Sequence, residues 1–272
     1  MSTFQGELAV VDPLNKDIAD NVNVSIINLL PSSLINNVTI DVGGKQCTDL
    51  SQSEYMYKSY MEHLFTYNRD AINSHEASSL FIPDFPNQYD IITSGTSKEI
   101  GHHLRSAIVK GSKKLQFCIP FTPDYFMADR YAPPGLAYTV KVYRNPDAFC
   151  LMGSADVIAK LTFSNLRLEL VVVKLEDVVK KALLTKMATT PMLFPLVRNT
   201  MKTFHASTAS TNFVVPSLFS GVLPRTIIFG MVSTKAYNGM MSVLCICMYC
   251  ITFQLILQDL SLPTRSIFDI SI

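Results

Sequence analysis

Five separated runs of strand-forming residues constrain the fold more than any other feature of this sequence. Four of them, Leu115–Pro120 and residues 138–143, 161–173 and 226–231, are rich in β-branched and aromatic side chains. Such side chains pack well on a pleated sheet and lose rotamer freedom in a helix. The fifth is residues 37–41, where apolar and polar positions alternate; Gly43-Gly44-Lys45 after it offers the positive-φ residues of a tight hairpin turn. The chain is therefore expected to be mainly β.

Two helices are predicted between these strands. Ser51-Gln52-Ser53-Glu54 has the spacing of a capping box, and Tyr57, Tyr60, Met61, Leu64 and Phe65 then recur on one helical face. Over residues 176–187, Val179, Leu183 and Lys186 keep helical spacing, with Glu176 and Asp177 at the positive end of the helix dipole. Residues 74–114 are rich in Ser, Asn, Asp and Pro with little periodicity and read as a long surface excursion. The order strands, helix, long loop, strands is loosely repeated on either side of residue 150, which gives two expected β domains, 1–150 and 151–272.

Charge and composition exclude some functions. With 23 basic and 22 acidic residues the formal charge is +1, so no overall basic field exists to hold a phosphate backbone. Only 17% of residues are charged while 48% are hydrophobic, which in a soluble protein leaves apolar surface for copies or partners to cover. Cys47, Cys118, Cys150, Cys245, Cys247 and Cys250 are too sparse for a disulfide framework and indicate a reducing compartment. The opening MSTFQGELAVVDPLNKD lacks a basic start and an apolar core, so no secretory signal is expected, and the sequons at Asn23 and Asn37 are expected to be unused. The apolar run 241–257 approaches membrane-spanning length, yet it contains Ser242, Thr252, Gln254 and three cysteines without a flanking basic cluster. A buried strand is the favoured reading.

The chemistry-bearing residues do not assemble into a motif. Cys245-x-Cys247-x-x-Cys250 has thiolates at short spacing but no second ligand pair and no nearby histidine, so buried free thiols are expected. His102-His103 reads as a surface pair with Glu99 as its only near carboxylate, and His75-Glu76 stands alone. Glu62 and His63 are adjacent on a helix and so point to different faces. No GxSxG elbow, P-loop or GxGxxG turn occurs. Enzyme activity is not expected, and no catalytic, cofactor-binding or metal residue is assigned. Tyr125, Phe126, Tyr131 and Phe149 fit an aromatic groove or, equally, core and subunit-contact positions.

Five stretches in order carry a family resemblance. They are residues 28–45 (NLLPSSLINNVTIDVGGK), 55–65 (YMYKSYMEHLF), 119–136 (IPFTPDYFMADRYAPPGL), 145–152 (NPDAFCLM) and 214–239, the last containing LFSGVLP and AYNG. Together they resemble the double jelly-roll major capsid proteins of Polinton (Maverick) elements and their adintovirus-like relatives. Pro31 departs from the family's usual aromatic-histidine pattern. Family chains start further upstream, and their polar, aromatic-rich closing strands are replaced here after Gly239, as a frameshifted, misspliced or decayed element resident in a host genome would give.

The resemblance implies a mainly β double jelly roll with short inserted helices, lacking its first strands and altered at its end. It implies a structural subunit that forms pseudo-hexagonal homotrimers in an icosahedral shell. The implied partners are copies of the chain and a minor, penton-type capsid protein. Direct sequence-specific nucleic-acid contact and membrane contact are not expected, and the implied location is the virion or the interior of the host cell. Residues 125–131 and the first helix are candidate contact regions. The alternatives are a β-sandwich ligand-binding module of lectin or cupin type, a membrane-anchored host protein using 241–257, and a non-functional relic of the capsid gene.

Overall fold

A computed structural model describes residues 2–20, 22–47, 55–82, 101–128, 130–132, 135–153, 157–190, 200–204, 212–213, 227–230, 232, 234, 251–253 and 270–271. In chain order the first strands and helices are β1 (Thr3–Val11), β2 (Val24–Ile26), α1 (Leu30–Ser33), β3 (Ile35–Val42), β4 (Lys45–Gln46), α2 (Tyr55–Thr66) and α3 (Arg69–Asn73). A 3-10 turn, His75–Ser79, precedes α4 (Gly101–Val109), β5 (Leu115–Pro120), β6 (Tyr138–Arg144), α5 (Asp147–Cys150), β7 (Leu151–Gly153), β8 (Lys160–Glu169) and α6 (Asp177–Thr189). Four short strands follow: β9 (Asn212–Phe213), β10 (Ile227–Phe229), β11 (Ile251–Phe253) and β12 (Ile270–Ser271). All five runs contain strands, although 161–173 stops at Glu169 and, of 226–231, the strand is Ile227–Phe229, with 226 and 231 outside the described residues.

Two three-stranded antiparallel sheets supply most of the order. In the first, β1 lies between β5 and β8, with Leu8 opposite Leu115 on one side and Phe163 on the other. In the second, β3 lies between β4 and β6. Gly43 and Gly44 have φ of 56° and 80°, so both central residues of the β3–β4 turn occupy the left-handed region that an L side chain resists. A register shift between Ile35 and Asn37 matters for packing. It brings Ile35 to the face already held by Val38 and Ile40, which strict alternation would forbid.

That face meets the first sheet in one core. Ile35, Val38, Ile40, Tyr55, Phe121 and Tyr125 are buried together, with Phe4 from β1, Val140 from β6 and Leu168 from β8 packed against them. A second buried group involves β2 and β7, which pair through Ile26 and Leu151, and α4, which packs on β2. Strands β7 and β8 thus pair with β2 and β1, so these sheets join segments from both sides of residue 150.

The long excursion expected over 74–114 is corrected in part. The 3-10 turn and α4 fall within it, and α4 buries His102, Arg105 and Val109 against the second group. Residues 83–100 lie outside the described residues. The helix expected over 176–187 is α6, whose capping position is Glu176. The predicted capping box at 51–54 lies outside the described residues, while the helix it would open is α2.

Contacts divide the chain into two units, one formed by 1–199 with 233–246 and the other by 200–232 with 247–272. In the second unit β10 pairs with β11 and β9 with β12. Strand β11 lies within the apolar run 241–257, whose other residues lie outside the described residues. Among the described residues, no helix is long and apolar enough to cross a membrane. Helices and small antiparallel sheets are mixed, and among the described residues no sheet closes into a barrel.

Candidate functional site

Among the described residues, a cluster of interacting titratable groups gathers where α2, the 3-10 turn and the residues after β5 meet. His63 Nε2 lies 2.8 Å from Glu76 Oε2, and both side chains are 5% exposed. Ser79 Oγ donates to Glu76 Oε2 at 2.8 Å, and the rings of Tyr67 and Phe81 pack on the imidazole at 4.8 and 5.1 Å. Burial pushes the His63 pKa down against the opposing pull of Glu76, so the ring is neutral near pH 7. Nε2 lies close to the carboxylate but has no acceptor in hydrogen-bond geometry.

Glu62 points elsewhere, as adjacency on a helix requires. Its Oε1 lies 3.5 Å from Lys58 Nζ, which also holds Asp124 Oδ1 at 2.7 Å and donates to Thr122 O. A cavity of about 140 Å³ lies between Ser59, Glu62, His63, Thr66, Tyr67 and Thr122. That is smaller than the few hundred Å³ of an ordinary ligand pocket. The cluster ties α2 to the turn below it. Glu76 is thus not alone, and no fixed sequence spacing announces its pairing with His63.

The second polar group corrects the reading of His102 as a surface residue. It is 3% exposed, with Nε2 3.0 Å from Asn23 Oδ1 and Nδ1 3.0 Å from Ser25 Oγ, while His103 is exposed. An acceptor at Nε2 favours the proton there, and the Ser25 hydroxyl, 3.0 Å from Nδ1, also lies 3.1 Å from Ile26 O, to which it donates. Burial, then the charge of Arg105, then His103 push the His102 pKa down to about 4.

A pH dependence follows from that displacement. The unfolded chain binds a proton near the ordinary histidine value of about 6.5, and the folded chain does not until about pH 4, so stability falls as the pH drops through that window. At pH 5 the loss relative to pH 7.5 is up to about 2 kcal/mol from His102, and His63 adds to it with the same sign. Urea unfolding at the two pH values reads it out, and His102→Gln is expected to reduce the difference. An unchanged difference in that variant would place the acid sensitivity elsewhere.

The aromatic residues singled out by sequence divide. Tyr125 and Phe149 are buried and Phe126 packs on the core cluster, whereas Tyr131 is 74% exposed. They do not form one groove. Cys150 is buried and forms no disulfide, and Cys245, Cys247 and Cys250 lie outside the described residues. Among the described residues, no group of three His, Cys, Asp or Glu side chains is placed to hold a metal ion.

Among the described residues, a group of exposed large apolar side chains stands out. From the end of β8 into α6 the chain exposes Leu166, Leu170, Val171, Val172, Val173, Leu175, Val178, Val179 and Leu184, with Val172 at 84% and Val178 at 77%. No residue of α6 is buried. The spacing of Val179, Leu183 and Lys186 marks this helix in the sequence but leaves open what its face packs against. In comparisons with known protein families, curated proteins and solved structures, the chain matches none.

Proposed function

We propose that this chain is a structural subunit that builds a shell from copies of itself, in the manner of the double jelly-roll capsid proteins its sequence resembles. The observation that carries the proposal is the group of exposed aliphatic side chains between Leu166 and Leu184, interspersed with charged residues such as Arg167, Glu169, Lys174 and Lys180. Association removes such side chains from water. A net charge of +1 leaves little long-range repulsion between copies. Two sheets sharing one core supply the sandwich-like unit from which a jelly roll is built, and β6 and β8, each paired on one side among the described residues, offer edges for further strands.

In this reading the chain forms homotrimers, the trimers tile an icosahedral lattice, and a penton-type partner fills the remaining vertices. Its location is the virion or the host-cell interior. Size-exclusion chromatography with light scattering, followed by negative-stain microscopy of the peak, tests it. Trimers with a hexagonal outline are the expected result. A monomer that persists at high concentration would overturn the proposal, and featureless aggregate would favour a non-functional relic.

A further inference from the structure

We propose that α6 pairs antiparallel with α6 of a second copy of this chain across a twofold axis, an inference that rests on the self-assembly reading and specifies one contact within it. Glu176, Val179, Leu183, Lys186 and Thr190 are spaced three, four, three and four residues apart, so they form a single stripe along the helix and its two ends. The stripe is available. Glu176, Val179, Lys186 and Thr190 are exposed and Leu183 is half-buried, and among the described residues neither Glu176 nor Lys186 has an ionic partner in its own chain.

The pattern is complementary to itself in one direction only. Antiparallel pairing with Val179 opposite the second copy's Leu183 also sets Glu176 opposite the second copy's Lys186, because each pair of residue numbers has the same sum. Twofold symmetry repeats both contacts, giving two ion pairs around two apolar contacts. Parallel pairing would set glutamate on glutamate and lysine on lysine, so the charges select the antiparallel arrangement. Opposed helix dipoles favour the same choice. Val178 and Ala182 widen the apolar side of the stripe, and the exposed Val171 and Val172 extend it beyond the helix.

So short a seam makes a weak contact on its own, and its place in a shell is between subunits already held in register, where effective concentration multiplies a weak affinity. Analytical ultracentrifugation of the intact chain over a concentration series tests it. Because no residue of α6 is buried, charge reversals there leave the fold in place, which circular dichroism verifies. Lys186→Glu and Glu176→Lys each bring like charges together twice and are expected to weaken self-association about tenfold. The double variant carrying both reversals is expected to restore it.

Single variants that associate like the parent chain, or a double variant that fails to recover, would overturn the α6 contact. If trimers form in all these chains, the shell-building proposal stands without that contact. A parent chain that stays monomeric at every concentration removes both.

Discussion

Replacement of Phe121 by alanine is expected to lower the unfolding free energy by about 3–5 kcal/mol, the range for deleting a buried phenyl ring. Phe121 directly follows β5, is 1% exposed, and has ring centroids of Phe4, Tyr55 and Phe126 at 6.4, 6.1 and 5.3 Å. Those neighbours come from β1, α2 and the segment after β5, and the ring shares its cluster with Ile35, Val38 and Ile40 of β3. One side chain therefore touches both main sheets and the helix, so the surroundings cannot collapse around its loss without moving all three. The backbone keeps its own anchor, since Phe121 N donates to Ser2 O at 2.9 Å. The loss should therefore be one of packing, with cooperative unfolding preserved. Urea unfolding of Phe121→Ala beside Tyr131→Ala provides the measurement, because Tyr131 is 74% exposed and its truncation should change stability by under about 0.5 kcal/mol. Similar small losses in both variants would mean that the two sheets do not share a core.

The parts of this fold that sequence revealed are those whose cause is local. The hairpin is set by Gly43 and Gly44, whose positive φ is written in their side-chain-free backbone. Leu115–Pro120 was bounded correctly because its composition and its flanking turns agree. Strand β1 escaped notice for the opposite reason. Thr3–Val11 is interrupted by Gly6 and Glu7, where the ladder to β8 slips register, and its partners lie more than a hundred residues away. Helix α4 was hidden by its polarity. His102, Arg105 and Val109 recur at helical spacing and are all buried, but a search for apolar periodicity passes over a face whose inward residues are a histidine and an arginine. The His63–Glu76 pair lay beyond reach because a turn, rather than a helical repeat, brings the two together. The exposed aliphatic side chains show the converse limit. Periodicity identified α6, but whether its stripe faces this chain or another copy depends on packing that periodicity does not encode.

Arg105→Met is expected to cost about 3 kcal/mol, although the substitution keeps most of the side-chain volume and removes a buried charge. Arg105 is fully buried; its Nε donates to Ile26 O at 2.9 Å and its Nη1 to Ile82 O at 2.8 Å. Relief of desolvation favours the methionine. Against it stand two charge-assisted hydrogen bonds of roughly 1.5–3 kcal/mol each, and the partly buried Ile82 carbonyl, which loses the Arg105 donor, while Ile26 O keeps the Ser25 hydroxyl at 3.1 Å. The lost hydrogen bonds prevail because the substitution deletes only one side of each. Arg105→Lys should recover at most part of the loss, since one ammonium lacks the planar fork that reaches two separate carbonyls. The same variant carries an independent check on the histidine beside it. Arg105 is the second cause, after burial, that holds the His102 pKa down, so its removal lets that pKa rise toward the unfolded value and narrows the window of acid sensitivity. The stability difference between pH 7.5 and pH 5 should therefore shrink in Arg105→Met while the stability at pH 7.5 falls. A variant that loses stability equally at both pH values would show that Arg105 acts on this part of the fold only through its hydrogen bonds, and that burial alone governs His102.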